Sequence, residues 1–472
     1  MHSKFHTVLL RFFRINDPYR LLGLLIVVSI VGLFHFLNPV GILQSELKHA
    51  VLGEALAGGN SMYSQLMDHT PPLAAWIYGL KDVLMGRSYV GGQIMALLII
   101  LFQASYFAIL LINNKAYAEN TYLPALIFAL LNFISFDILS FSPELMACTL
   151  LLFALNQLFH EIEFKIQRDD IVVKLGFYLG LATFLVITYG LFLLVCVFIL
   201  IVFARAGFRK IALLLLGFIL PHALLGSAYY YTDQFGLLWK NYYVENFSFS
   251  ENSLMSFQGL IVLASVPLIY FVLSFFMMNR EARFTKYQSQ LMQVMFLWMI
   301  TALLQVFVDR EISATSFLPF VPPFAYSISH YLLLIRRKWR AELMLWVFLA
   351  GIISINFLSR YGRIKAVDYT DLFVAAPVSS VVNKKVMNLG SGFEIYQNNS
   401  LGGFFFNWEL SKGYFRDLSV YDHVEIIASS FQSDPPDVII DPDNLFAEVL
   451  QRIPGLKLSY KRSGNVYYRV SN

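Results

Sequence analysis

Between positions 46 and 69 the chain sets out Glu46, His49, Asp68 and His69. Carboxylates and imidazoles are the groups that take up and release protons near neutrality. Glu46 and His49 lie three apart in LQSELKHAVLGEALAGG, so on a helix their side chains share a face. A carboxylate there could act as a general base. Lys48, Arg87, Lys240 or Arg310 could offer positive charge to an anion. Glu144 follows Pro143 at the head of an apolar run and is a further acidic candidate. No set of His, Cys, Asp and Glu has metal-ligand spacing, so a divalent metal is possible without being indicated.

Each of these residues also has a plain structural reading. Glu46 could be a solvated residue of a surface helix, and His49 its hydrogen-bonding partner. Asp68, before His69 and a Pro pair, suits a turn or cap. Glu144 complements a helix N-terminus. Asp309, Arg310 and Glu311 suit a solvated ion-pair cluster. His35 and His222, in or near apolar runs, suit packing. The Tyr-, Trp- and Asn-rich stretch 229–257 would stack on sugars or form an interfacial belt.

The elements that must position these groups follow from periodicity and composition. The first loop, 39–89, holds two amphipathic pieces. In the first, Leu43, Leu47, Ala50 and Val51 form one apolar stripe, ended by Gly58 and Gly59. The second, TPPLAAWIYGLKDVLMG, opens on Pro71 and Pro72, with Trp76 and Tyr78 as interfacial anchors. Two surface-lying helices are expected there, as a lid over the bundle.

The whole chain is 57% hydrophobic and only 14% charged, with mean hydropathy +0.61. That balance excludes an ordinary soluble enzyme, a disordered chain and a nucleic-acid reader. Eleven apolar stretches approach span length: 21–38, 90–113, 121–138, 143–160, 174–188, 190–206, 210–230, 258–278, 289–308, 317–336 and 341–358. The first reads as an uncleaved span, since no small-residue cleavage site and polar mature chain come after it. Cys148 and Cys196 sit in apolar runs and read as packing residues without a disulfide framework.

With the N-terminus in the cytoplasm, eighteen Lys and Arg fall in cytoplasmic segments and five in the opposite loops. This bias sets the expected topology and puts the tail, 359–472, outside the cytoplasm. The tail has twelve Lys and Arg against twelve Asp and Glu, so the net +4 belongs to 1–358. Strand-like runs are Lys385–Leu389, Phe393–Tyr396, Val424–Ile427 and Val438–Ile440. A helical stretch, Asn444–Ile453, ends at Pro454, and a closing hairpin turns at Ser463-Gly464-Asn465. The expected architecture is a mainly α polytopic membrane bundle over 1–358 and a small extracytoplasmic α/β domain over 359–472.

The pattern SELKHA…GGNSMYSQLMDHTPPLAAW resembles the first outer loop of the GT-C glycosyltransferases. The closest branch contains the lipid A aminoarabinose transferase and the protein O-mannosyltransferases. Glu46 takes the second place of that family's acidic pair, His49 the place of its Tyr, and Pro71, Pro72, Leu73 and Trp76 match a later segment. SPELMACTLLLFAL, GFYLGLATFLVITYGL and FLPFVPPFAYSISHYLL come after it in the family's order. The resemblance implies a GT-C-like bundle in a bacterial inner membrane. It implies transfer of a sugar from a polyprenyl-phosphate carrier to an extracytoplasmic acceptor, with Glu46 as base. His49, Asp68, His69, Trp76, Arg87, Glu144 and Lys240 would then contact substrate. Three departures, Ser45, Thr70 and Ile187-Thr188-Tyr189, leave open a non-catalytic scaffold whose tail docks an envelope protein. A transporter is the third reading. It is opposed by spans nearly free of Asp, Glu, Lys and Arg.

Overall fold

The computed structural model describes residues 9–163, 168–247, 254–309, 311–376 and 381–470. Among them, seven helices are long and apolar enough to cross a membrane: Arg20–Leu37, Tyr89–Asn113, Pro143–Ile162, Phe208–Tyr231, Lys286–Val308, Ala314–Leu334 and Lys338–Arg360. The pair Phe257–Leu263 and Ser265–Glu281, bent by 62°, makes an eighth if it is one span, and Ile187–Val202 is a shorter apolar helix. The chain is a polytopic helical membrane protein with a small sheet near its C-terminus.

Three apolar stretches of the sequence, 121–138, 174–188 and 190–206, give less than a full span, the last forming only Leu191–Val202. From 121–138 comes only the helix Leu123–Leu131. Beyond it Asn132 turns its amide back to the Phe128 carbonyl at 2.8 Å. The Ser140 hydroxyl likewise donates to the Asp137 carbonyl, and Asp137 accepts from the Ala314 N–H at 3.2 Å. Short polar side chains of this kind offer the backbone alternatives to the helix. The stretch 174–188 falls in Asp169–Thr183, which ends before the 3-10 turn Ile187–Gly190.

Packing divides the chain into two units. The first comprises Met1–Val40, Val90–Leu224 and Phe249–Asp371. Its most enclosed span is Ala314–Leu334. Close helix approach in this unit depends on glycine. A Cβ at Gly176 would sit 2.1 Å from the Leu214 carbonyl oxygen, and one at Gly217 2.2 Å from that of Val173. Small residues are the means by which apolar helices pack in lipid, where no hydrophobic force joins them.

The second unit comprises Gly41–Tyr89, Leu225–Ser248 and Leu372–Asn472. The tail expected at 359–472 thus shares a packing unit with the first loop. The loop folds as the helices Gln44–Ala57 and Pro72–Met85. They lie so close that a Cβ on Gly53 would meet the Tyr78 carbonyl oxygen at 2.6 Å. The sheet has five strands: β1 Lys385–Asn388, β2 Ser400–Leu401, β3 Val438–Ile440, β4 Tyr460–Ser463 and β5 Val466–Arg469. Their order is β2-β1-β3-β5-β4, parallel over β2-β1-β3 and antiparallel beyond.

Val424–Ile427, expected as a strand, lies in the helix Tyr421–Ser433. Ile427 and Phe431 fall one turn apart and are buried together, so period 3.6 prevails over a brief alternation. Phe393–Tyr396 mostly joins the 3-10 turn Glu394–Gln397. The core gathers Met387, Phe405, Phe415, Phe431, Phe446 and Tyr467, and it also takes in Met67 of the first loop.

Candidate functional site

Met67 anchors the turn that carries Asp68 and His69. Its N–H donates to the Phe404 carbonyl at 2.9 Å, and the Asn407 N–H returns to the Met67 carbonyl at 3.0 Å. This two-rung ladder seats Asp68 against Asn407. Asn407 is the N-cap of the helix Trp408–Arg416, its Oδ1 accepting from the Glu409 N–H at 3.1 Å. The cap orients the amide, so Nδ2 donates to Asp68 Oδ1 at 2.9 Å. The same Nδ2 lies 2.9 Å from His69 Nδ1. The Asn246 amide holds the His69 carbonyl at 2.8 Å.

Asp68 is 0% exposed. Its carboxylate also accepts from the Thr70 N–H and the Thr70 hydroxyl, and Lys48 Nζ stands 3.4 Å away. Burial would raise its pKa. The Lys48 ammonium, backed by the Thr70 hydroxyl and the Asn407 amide, outweighs burial and holds it well below the usual carboxylate range. A carboxylate this fully engaged is a poor base. Tyr63 braces the turn, donating from its hydroxyl to the Thr70 carbonyl at 2.8 Å and packing beside Tyr229 and Tyr242.

Glu46 lies in the first turn of Gln44–Ala57 and is half-buried. Its charge reaches Lys81 of the partner helix, which is 9% exposed. Burial lowers the Lys81 pKa, while Asp82 and Glu46 pull it back up. Glu46 also acts on the Tyr89 hydroxyl. His49 stacks on Tyr78 at 4.2 Å and 12°. Its pKa is lowered to about 3, first by burial, then by Lys48 and Lys81 against an opposite pull from Asp68. The ring is neutral at physiological pH. The helix pair therefore groups a carboxylate, a neutral imidazole and two lysines.

The other candidates lie elsewhere. Arg87 is a clamp: it pairs with Glu54 and donates to the Tyr396 and Asn399 carbonyls, each at 2.8 Å. Trp76 is exposed on Pro72–Met85, in one stripe with Leu80, Val83 and Leu84. Lys240 is exposed and donates to the Tyr414 hydroxyl at 3.3 Å. Glu144 belongs to the first unit, on the helix Pro143–Ile162 capped by Ser142, near Glu311 and Thr315. Arg310 lies outside the described residues.

Sequence reasoning missed Lys81 and Asn407. Lys81 was visible as a lysine on the stripe Ala74, Tyr78, Lys81 that faces the partner helix. Asn407, 339 residues from its partner, carries no local signal. Among the described residues, no group of three or more His, Cys, Asp or Glu is placed to hold a metal ion.

No curated protein matches the chain. Among solved structures it is similar to ArnT from Cupriavidus metallidurans bound to undecaprenyl phosphate, at 12% identity and a TM-score of 0.49 over 70% of this chain and 64% of that one. For ArnT of the same organism in the apo state the identity is 14% and the TM-score 0.48, over 70% and 63%. The chain spans a little under two thirds of the solved chains it matches. Residues 84–365, more than half of the sequence, match a family described as a family of unknown function, DUF6427. The chain belongs to that family.

Proposed function

We propose that the chain is a membrane glycosyltransferase that moves a sugar from a polyprenyl-phosphate carrier to a hydroxyl of an extracytoplasmic acceptor. The observation that carries the reading is the grouping of Glu46 with Lys81, His49 and Lys48 on the loop-helix pair. The order of GT-C-like motifs along the sequence supports it. Glu46 takes the acceptor proton as the acceptor oxygen bonds to the sugar C1. The C1–O bond to phosphate breaks, and the leaving polyprenyl phosphate keeps the electron pair. Lys81, buried and within electrostatic reach of this carboxylate, stabilises the charge that develops on the phosphate. The neutral imidazole of His49 adds no competing charge. Asp68 and Asn407 hold the loop that carries the pair. The Lys/Arg bias supports a cytoplasmic N-terminus with the tail outside.

The test is sugar transfer by the purified full chain from radiolabelled polyprenyl-phosphate sugars to a membrane extract. Glu46→Gln is expected to lower kcat by about 10²–10⁴-fold, the range for loss of a positioned base. Wild-type turnover in Glu46→Gln refutes the assignment. A second reading, a non-catalytic scaffold of an envelope complex, is favoured by the engagement of Arg87 and Lys48 with protein partners. It expects Glu46→Gln to leave every envelope phenotype unchanged.

A further inference from the structure

A second feature of the same unit has no place in that mechanism. An open cleft of about 420 Å³ is lined by Ser61, Ser64, Gln65, Gln234, Phe404, Ser429, Gln432 and Ser433. That volume lies within the range of small-molecule sites, roughly 300–1,000 Å³. Its lining is four hydroxyls, three carboxamides and one aromatic ring, with no ionisable group. We propose that this cleft is a carbohydrate subsite that takes a neutral, hydroxyl-rich glycan unit and so defines the acceptor class. The proposal rests on the glycosyltransferase reading for that role, though not for binding.

The lining presents both donors and acceptors. Ser429 and Ser433 spend their protons on the Ile426 and Ser429 carbonyls, at 3.0 and 2.6 Å, and so offer oxygen lone pairs outward. Gln65 does the reverse. Its Oε1 accepts from the Ser61 N–H at 2.9 Å, which leaves the NH₂ to donate. Ser64 Oγ is buried without a hydrogen-bond partner among the described residues. Vicinal sugar hydroxyls are donor and acceptor at once and match such a mixture. A phosphate, a nucleotide or a charged peptide would find no counter-charge and would lose hydration without return.

The floor is rigid. Phe404 donates its N–H to Ser430 Oγ at 3.0 Å and accepts from the Met67 N–H. Gly403 before it holds φ +80, a conformation open to glycine. Little ordering remains to be done on binding. The Met67–Phe404 rung also ties the cleft to the turn that carries Asp68, so a glycan seated here is bound on the element that holds the proposed catalytic loop.

The experiment uses the full chain in a detergent without sugar headgroups. Cellobiose and chitobiose are titrated by saturation-transfer NMR, with a neutral Ser/Gln tetrapeptide and glucose 6-phosphate as comparison probes. The expected result is binding of at least one disaccharide and of neither comparison probe. The double variant Gln234→Ala/Gln432→Ala, at positions outside the core, should weaken it about tenfold or more. Glu46→Gln should leave it unchanged. Absence of disaccharide binding, equal binding of the tetrapeptide, or an unaffected double variant overturns the proposal. Loss of transfer in Glu46→Gln with no disaccharide binding would refute the cleft alone. Disaccharide binding with full transfer in Glu46→Gln would refute the base alone.

Discussion

Asp68→Asn separates the residue that holds the loop from the residue proposed to do chemistry. In the wild type the carboxylate is 0% exposed and meets Lys48 at 3.4 Å and the Asn407 amide at 2.9 Å. The neutral amide leaves Lys48 without its counter-ion and turns one accepting oxygen into a donor facing another donor. Removing one partner of a buried pair costs about 3–5 kcal/mol. The Lys48 side chain is 18% exposed and gains some hydration, which places the loss at the lower end, about 3 kcal/mol. If the latch is absent from the unfolding transition state, unfolding speeds up about 100-fold. Limited proteolysis in detergent at fixed temperature reads opening of the second unit, while Cys148 and Cys196, free and buried in the first unit, report on that unit through a thiol-reactive fluorophore. Lys48→Met/Asp68→Asn removes the stranded charge and should recover part of the loss. A rate within twofold of wild type for Asp68→Asn, or additive losses in the double variant, would refute the account of Asp68 as a charged latch.

Two further outcomes are expected from the geometry. An unfolded chain protonates the His49 ring near pH 6.5, whereas the folded one does so near 3. Between those values the unfolded state binds the extra proton and stability falls as pH falls, by at most about 1.4 kcal/mol per pH unit and less where water reaches the ring. His49→Gln should flatten that slope between pH 4 and 6.5 in thermal scans. Gly176→Val pushes a side chain into the Leu214 backbone. It should cost about 1–3 kcal/mol, read as faster thiol exposure, while an exposed control such as Leu216→Val stays near wild type.

The membrane character, the two loop helices, strands β1 and β3 and the closing hairpin were legible because each rests on local periodicity or turn chemistry. The helix Pro143–Ile162 covers the expected 143–160. The shortened stretches at 121–138 and 174–188 were not legible, because hydropathy sums do not register the Asn132 amide bonding the Phe128 carbonyl or the Thr183 hydroxyl bonding that of Gly180. At the site, the spacing of Glu46 and His49 was readable. Their environment was not: His49 stacks on Tyr78, and Lys81 is buried on a helix that Gly53 allows to approach closely. Asp68 looked like a turn residue and is one, through Thr70. Its pairing with Asn407 depends on a chain reversal that no window of sequence contains.

That pairing has a temporal side. The carboxylate and its amide partner are 339 residues apart, and ribosomes add roughly 5–20 residues per second. For a period on the order of tens of seconds the loop must exist with its charge unsatisfied and Met67 outside any core. The second unit cannot mature as synthesis proceeds; it closes only when Leu372–Asn472 has been made. Nascent chains halted before Leu372 would hold the loop in a form open to proteases, and chains carried past that segment would protect it.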